Sequence, residues 1–180
     1  MADGYRGLFG AFPYAFGRTD SRLFKSYVVV GGLAATVLSL FVALSLVVLF
    51  GQTASVQGGS LTLSRAFYIV VGLFLVAPVL APVLLVARRH RRGLAPDAGV
   101  RYDQLLAVAG YVFIASLYVA LVISIPECFT LDGEQVCQGQ PTGLFAPVIA
   151  VLYDLPQLAA LLPPALAGAL IWVVHRVVGE

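Results

Sequence analysis

The chain has 180 residues, of which 60% are hydrophobic and only 11% charged, with a formal net charge of +2 and a mean hydropathy of +0.94. A soluble domain is about 45–50% apolar and about 25% charged, so this composition excludes an ordinary water-soluble fold and points to one integral membrane domain. The small positive charge is not a nucleic-acid signal, because the basic residues sit where membrane topology alone would put them.

Residues 1–26 are aromatic and glycine-rich, with Tyr5, Phe9, Phe12, Tyr14 and Phe16 followed by Arg18, Arg22 and Lys25. Rings beside cations suit a segment in the headgroup region; the competing reading is a disordered tail. From Tyr27 to Phe50 there are 24 residues without a charge, enough for ~36 Å of helix. This is longer than the roughly 7–15-residue apolar region of a signal peptide, so it reads as a first span. Gly31, Ala35, Ser39 and Ala43 recur every four residues along it, a smooth face of the kind that lets helices approach closely in lipid, unless the Ala/Gly-rich composition produces it by chance.

Gly51 to Arg65 is a polar loop, and Ala66–Ala87 is the second expected span. Pro78 and Pro82 lie one turn apart on one side of it and predict a bend, either a hinge or simply shape. The basic loop follows, with Arg88-Arg89-His90-Arg91-Arg92 at its start and Arg101 and Asp103 near its end. Leu105–Ile125 is the third span, stopped by Pro126. Pro126 to Gly143 is acidic, carrying Glu127, Asp132 and Glu134 and no cation.

Leu144 to Val178 is apolar for 35 residues, about 52 Å as one straight helix, and four prolines interrupt it. Counting back about 20 residues from Arg176 places the fourth span near Leu155–Val174. Residues 144–154 then form an outer interfacial or re-entrant segment. Ten basic residues fall before the first span, between the second and third, or after the fourth, and only Arg65 falls elsewhere. That bias places both termini on the cytoplasmic side of a cell membrane and the loops at 51–65 and 126–143 outside.

Cys128 and Cys137 lie in the outward loop, where disulfides persist. Asp132-Gly133 stands midway between them, a strong two-residue hairpin signal. Counting outward, Leu131 pairs with Glu134 and Cys128 with Cys137. The cysteines thus fall on a non-hydrogen-bonded pair, with Cα atoms about 4.5 Å apart, inside the ~4.4–6.8 Å that a disulfide accepts. The chemical alternative is a redox pair. Four-helix membrane proteins that pass electrons from thiols to quinone resemble this chain in helix count, but they carry a Cys-x-x-Cys pair that is absent here, and an isolated stapled pair lacks partner thiols.

Catalytic and cofactor signatures are missing. His90 and His175 lie at the cytoplasmic edge without a metal-ligand companion at a recognisable spacing, and read as parts of a basic surface. No Gly-x-x-x-x-Gly-Lys, His-Glu-x-x-His or Gly-x-Ser-x-Gly motif appears. Asp154 is the one acid in an apolar run, which makes it a candidate functional acid. Asp154-Leu155-Pro156 also has the form of a helix start, with the acid as cap. The Arg88, Arg89, His90, Arg91, Arg92 cluster reads as a topology determinant that can also attract anionic headgroups.

The start Tyr5-Arg6-Gly7-Leu8-Phe9-Gly10, through Ser21-Arg22-Leu23-Phe24-Lys25-Ser26-Tyr27, resembles the uncharacterised small four-span integral membrane proteins of halophilic archaea. The resemblance covers about the first seventh of the chain and implies no activity; the basic pI of about 8.7 departs from the acidic habit of halophilic proteins.

The expected fold is therefore an all-α integral membrane protein: an interfacial segment 1–26, then a single membrane domain 27–180 with four transmembrane helices and an outer disulfide-stapled β-hairpin. No catalytic residue, cofactor or metal is expected. The lipid bilayer is one partner, and a membrane-protein partner or a second copy the other. Three functions are compatible: a non-catalytic accessory or scaffold subunit, a small-solute or ion carrier or channel acting as a homo-oligomer, and a membrane thiol-redox protein.

Overall fold

The computed structural model describes residues 7–54, 59–93, 99–126, 128–131, 134–137, 139 and 141–179. In chain order these form α1 (Gly7–Arg18), α2 (Arg22–Gln52), α3 (Gly59–Arg91), α4 (Gly99–Ser124), a hairpin of β1 (Cys128–Leu131) and β2 (Glu134–Cys137), α5 (Ala146–Tyr153), a short 3-10 helix (Gln157–Leu161) and α6 (Leu162–Gly179). Among the described residues four helical stretches are long and apolar enough to cross a bilayer: Arg22–Gln52, Arg65–Arg91, Val100–Ser124 and Gln157–Gly179. This is a membrane protein of four candidate spans, as the composition predicts.

The helices run further toward the Arg88–Arg92 end of the bundle than the uncharged runs suggest. Ser21 caps α2, its Oγ accepting the Phe24 N–H at 3.2 Å, so Arg22 and Lys25 belong to the helix. α4 likewise starts at Gly99, which makes Arg101, Tyr102 and Asp103 helical rather than loop residues. Charge marks where a chain can meet water; the backbone needs only its hydrogen bonds and a cap to continue.

Residues 7–26 hold α1, the turn at Thr19–Ser21 and the first turn of α2. α1 folds back along α2, bringing Phe12 against Gly32, while Ala11 and Ala15 are fully buried in the common core. Small side chains on one face of α1 let it lie close on α3.

The core is concentrated at the basic end. Phe24, Tyr27, Val28, Gly31 and Ala35 are the buried residues of α2, and none is buried from Thr36 to Gln52. Of the expected small-residue face, Gly31 and Ala35 are therefore used inside the bundle, whereas Ser39 and Ala43 remain exposed. On α3 the stripe Val79, Val83, Val86 faces inward. α4 is packed against α2, α3 and α6, and α6 lies mainly on α4.

Tyr27 joins three helices. Its ring covers Gly110 of α4 so closely that a Cβ there would collide with it. Its edge meets Tyr111 at 5.2 Å between centroids, and its hydroxyl donates to the Val79 carbonyl at 2.7 Å. That carbonyl adjoins the one freed in α3, since Pro82 has no N–H to give the Pro78 carbonyl and the helical ladder is weakened at this turn. An outside donor is what a proline-containing membrane helix needs, and α3 continues through both prolines.

The long apolar run 144–178 breaks at Asp154–Pro156. Pro156 is extended, with ψ 141, and the residue before a proline is disfavoured in the helical region. Asp154 consequently closes α5 at its C-terminal end, its backbone N–H bonded to the Ala150 and Leu152 carbonyls. This corrects the expected helix start: the following 3-10 helix has Pro156 at its cap and no side-chain cap bond.

At the other end β1 and β2 pair antiparallel, Leu131 with Glu134 and Cys128 with Cys137. The cysteines form a disulfide, S–S 2.06 Å, with Cα atoms 4.0 Å apart. The Asp132-Gly133 turn lies outside the described residues. Among the described residues the hairpin packs on no other element.

The Tyr27 arrangement predicts an order of severity. Tyr27→Phe removes the interhelical hydrogen bond to the Val79 carbonyl and costs about 1 kcal/mol. Gly110→Ala drives a methyl group into the Tyr27 ring and costs more, about 1–3 kcal/mol. Thermal unfolding of the detergent-solubilised protein measures both.

Candidate functional site: a polar clasp at the basic end

The N-terminal part of α4 carries Tyr102 and Asp103, both buried. Asp103 is 1% exposed, yet it carries a carboxylate. Its Oδ2 accepts two hydrogen bonds: from Thr19 Oγ1 at 2.6 Å and from His90 Nε2 at 3.0 Å. Thr19, itself buried, also accepts the Ser21 N–H at 3.2 Å. One carboxylate oxygen therefore ties the α1–α2 turn and the last turn of α3 to α4.

Tyr102 extends the cluster to two further residues. The Arg89 guanidinium lies over its ring at 4.3 Å from the centroid, within cation–π range. Its hydroxyl and His175 Nδ1 of α6 are 2.7 Å apart, and either can supply the proton. The α1–α2 turn, α3, α4 and α6 thus contribute to one polar layer. Among the described residues Asp103 Oδ1, Arg89 Nε and Arg89 Nη1 are buried without a hydrogen-bond partner: one acceptor and two donors.

The geometry is that of a clasp and not of a nucleophile relay. In a relay the hydroxyl gives its proton to the imidazole, and the carboxylate orients the imidazole from behind. Here the Thr19 hydroxyl and the His90 imidazole both point at the same carboxylate oxygen. Among the described residues no three His, Cys, Asp or Glu side chains come together in a metal-like group.

The expected site residues are divided by this arrangement. Arg88, Arg91 and Arg92 are exposed at the end of α3, whereas Arg89 and His90 turn toward α4. The reading of both histidines as parts of a basic surface is therefore corrected: His90 holds Asp103 and His175 holds Tyr102. Helical periodicity is the reason, since Val79, Val83, Val86 and His90 follow one another at spacings of four, three and four. Asp103 continues the buried stripe of Leu106, Ala107 and Gly110 in the same way. That spacing is readable in the sequence, but the charges of Arg101 and Asp103 give the same stretch the look of a loop. Asp154, by contrast, is exposed, far along the chain from this cluster.

Two substitutions separate the roles. Thr19→Val removes the donor to Asp103 and the acceptor for Ser21, at a cost of about 1–3 kcal/mol. Hydrogen exchange should then quicken in α1, roughly 5- to 100-fold, and stay unchanged in α4 and α6. Asp103→Asn keeps an acceptor for Thr19 and should loosen α1 less; equal exchange in both variants and the parent protein would contradict the clasp.

No curated protein and no solved structure matches this chain. A family model does, over residues 1–179, under the description "Domain of unknown function (DUF8056)". Since the match spans nearly all 180 residues, the chain belongs to the DUF8056 family.

Proposed function

We propose that this is a multi-pass cell-membrane protein with both termini and the Arg88–Arg92 segment cytoplasmic, the disulfide hairpin outside, and a non-catalytic role as an accessory or scaffold subunit of a membrane complex. The sidedness is supported by charge. Arg18, Arg22, Lys25, the Arg88–Arg92 cluster, Arg101 and Arg176 gather at one end, while Arg65 stands at the other, bonded to Thr53. Such asymmetry orients membrane proteins with the cations inside.

The observation that carries the scaffold reading is the state of α2. It is long enough to cross on its own, yet beyond Ala35 no residue of it is fully buried, and its contacts there come down to partly buried positions such as Leu38 and Val42. Ser39 and Ala43 leave a low-relief face there, suited to another helix. α4 occupies the middle of the bundle, between α2 and α3 on one side and α6 on the other, where a solute pathway would otherwise run. The carrier reading retains one specific point, the buried acid at Asp103, which replaces Asp154 as the residue to test.

A reporter fused after Glu180 should function only in the cytoplasm; activity outside would reverse the assigned sidedness. Tagged protein purified from native membranes in mild detergent should bring down a stoichiometric membrane protein, identified by mass spectrometry. Ala43→Trp should remove most of it without changing thermal unfolding. A pure homo-oligomer, with ion flux abolished by Asp103→Asn, would instead favour the carrier.

A further inference from the structure

Between α1 and α2 there is a groove of about 450 Å³, open on its outer side and walled by Leu8, Phe9 and Phe12 of α1, Thr36 and Ser39 of α2, and Leu80 of α3. It makes no polar demand through Thr36, whose hydroxyl is bonded to the Gly32 carbonyl of its own helix at 2.8 Å. Phe9, on its rim, is 90% exposed.

A cation stands above it. Lys25, Gly32, Thr36 and Ser39 succeed one another at spacings of seven, four and three along α2, hence on one face. On α1, Phe16, Phe12 and Phe9 do the same in reverse. Lys25 Nζ lies over the Phe16 ring, 5.6 Å from its centroid, and exposed Arg22 is one turn away. At 1.5 Å per residue the groove begins ~10 Å below Lys25 and ends ~21 Å below it. With Lys25 at the headgroup level, that depth falls within one half, ~15 Å, of a ~30 Å hydrocarbon core and reaches its middle.

We propose that this face is a binding site for a single anionic phospholipid, with the phosphate held by Lys25 and Arg22 and one acyl chain lying in the groove beneath. Charge complementarity names the headgroup, and the apolar slot under the cations names the rest of the molecule. An ammonium suits a phosphate as a compact point charge, and stacking on Phe16 holds it at the mouth of the slot. The site rests on the membrane reading above but not on the accessory role or on which end is cytoplasmic, so the partner purification can fail while this site stands.

The test is native mass spectrometry of the full chain in mild detergent, supplied with phosphatidylglycerol or phosphatidylcholine. The parent protein should retain one phosphatidylglycerol in preference to phosphatidylcholine. Lys25→Gln should lower phosphatidylglycerol retention about five-fold and leave phosphatidylcholine unchanged. Ser39→Phe, which fills the groove, should abolish retention of both. Phe9→Ala removes an exposed wall without touching the core and should weaken both, which keeps the test decisive if Ser39→Phe fails to fold. Parent-like retention in Lys25→Gln and Phe9→Ala would overturn the site. So would an equal loss in Arg92→Gln, since attraction to the basic end as a whole would then account for binding.

Discussion

Gly110 has no side chain, and Tyr27 uses the space. Because the ring lies directly on the α4 backbone, α2 and α4 approach closely at that level, and the hydroxyl reaches the Val79 carbonyl of α3. In lipid there is little hydrophobic drive between helices, so contact area and interhelical hydrogen bonds hold a bundle together. One aromatic residue supplies both here. It also sets where the core can be: the buried side chains of α2, α3 and α4 gather around this level and toward the basic end.

From that pin the molecule becomes asymmetric along its length. At the basic end α1 folds back onto the bundle, and Asp103 fastens the turn that follows it. At the opposite end the second half of α2 and the first part of α3 bury little beyond the contact of Gly72 with Val42. The hairpin there is held by its own disulfide and packs on no described neighbour. A firmly packed end carrying the charges and a loosely packed apolar end are what a helix-docking subunit would present to a partner.

The polar clasp shows how a buried charge can be tolerated at a membrane protein's edge. Leaving a buried carboxylate unpaired would cost several kcal/mol; Thr19 and His90 offset that at Asp103. The residues lie on four different segments. The clasp is therefore formed only when α3, α4, α6 and the α1–α2 turn are all in place.

Much of this was determined by the sequence alone. Run length and hydropathy yield four candidate spans because a hydrocarbon core demands continuous apolar helix. The disulfide followed from two cysteines at matched distances from Asp132-Gly133. Three things were decided only in the tertiary structure. Helix ends moved past the charges, because capping by Ser21 and packing of α4 outweighed the apparent boundary at Lys25 and Asp103. Asp154 went to the end of α5, because Pro156 broke the chain on its other side. The roles of His90, His175 and Asp103 were settled by which helix faces met, and a linear pattern encodes each face without naming its neighbour.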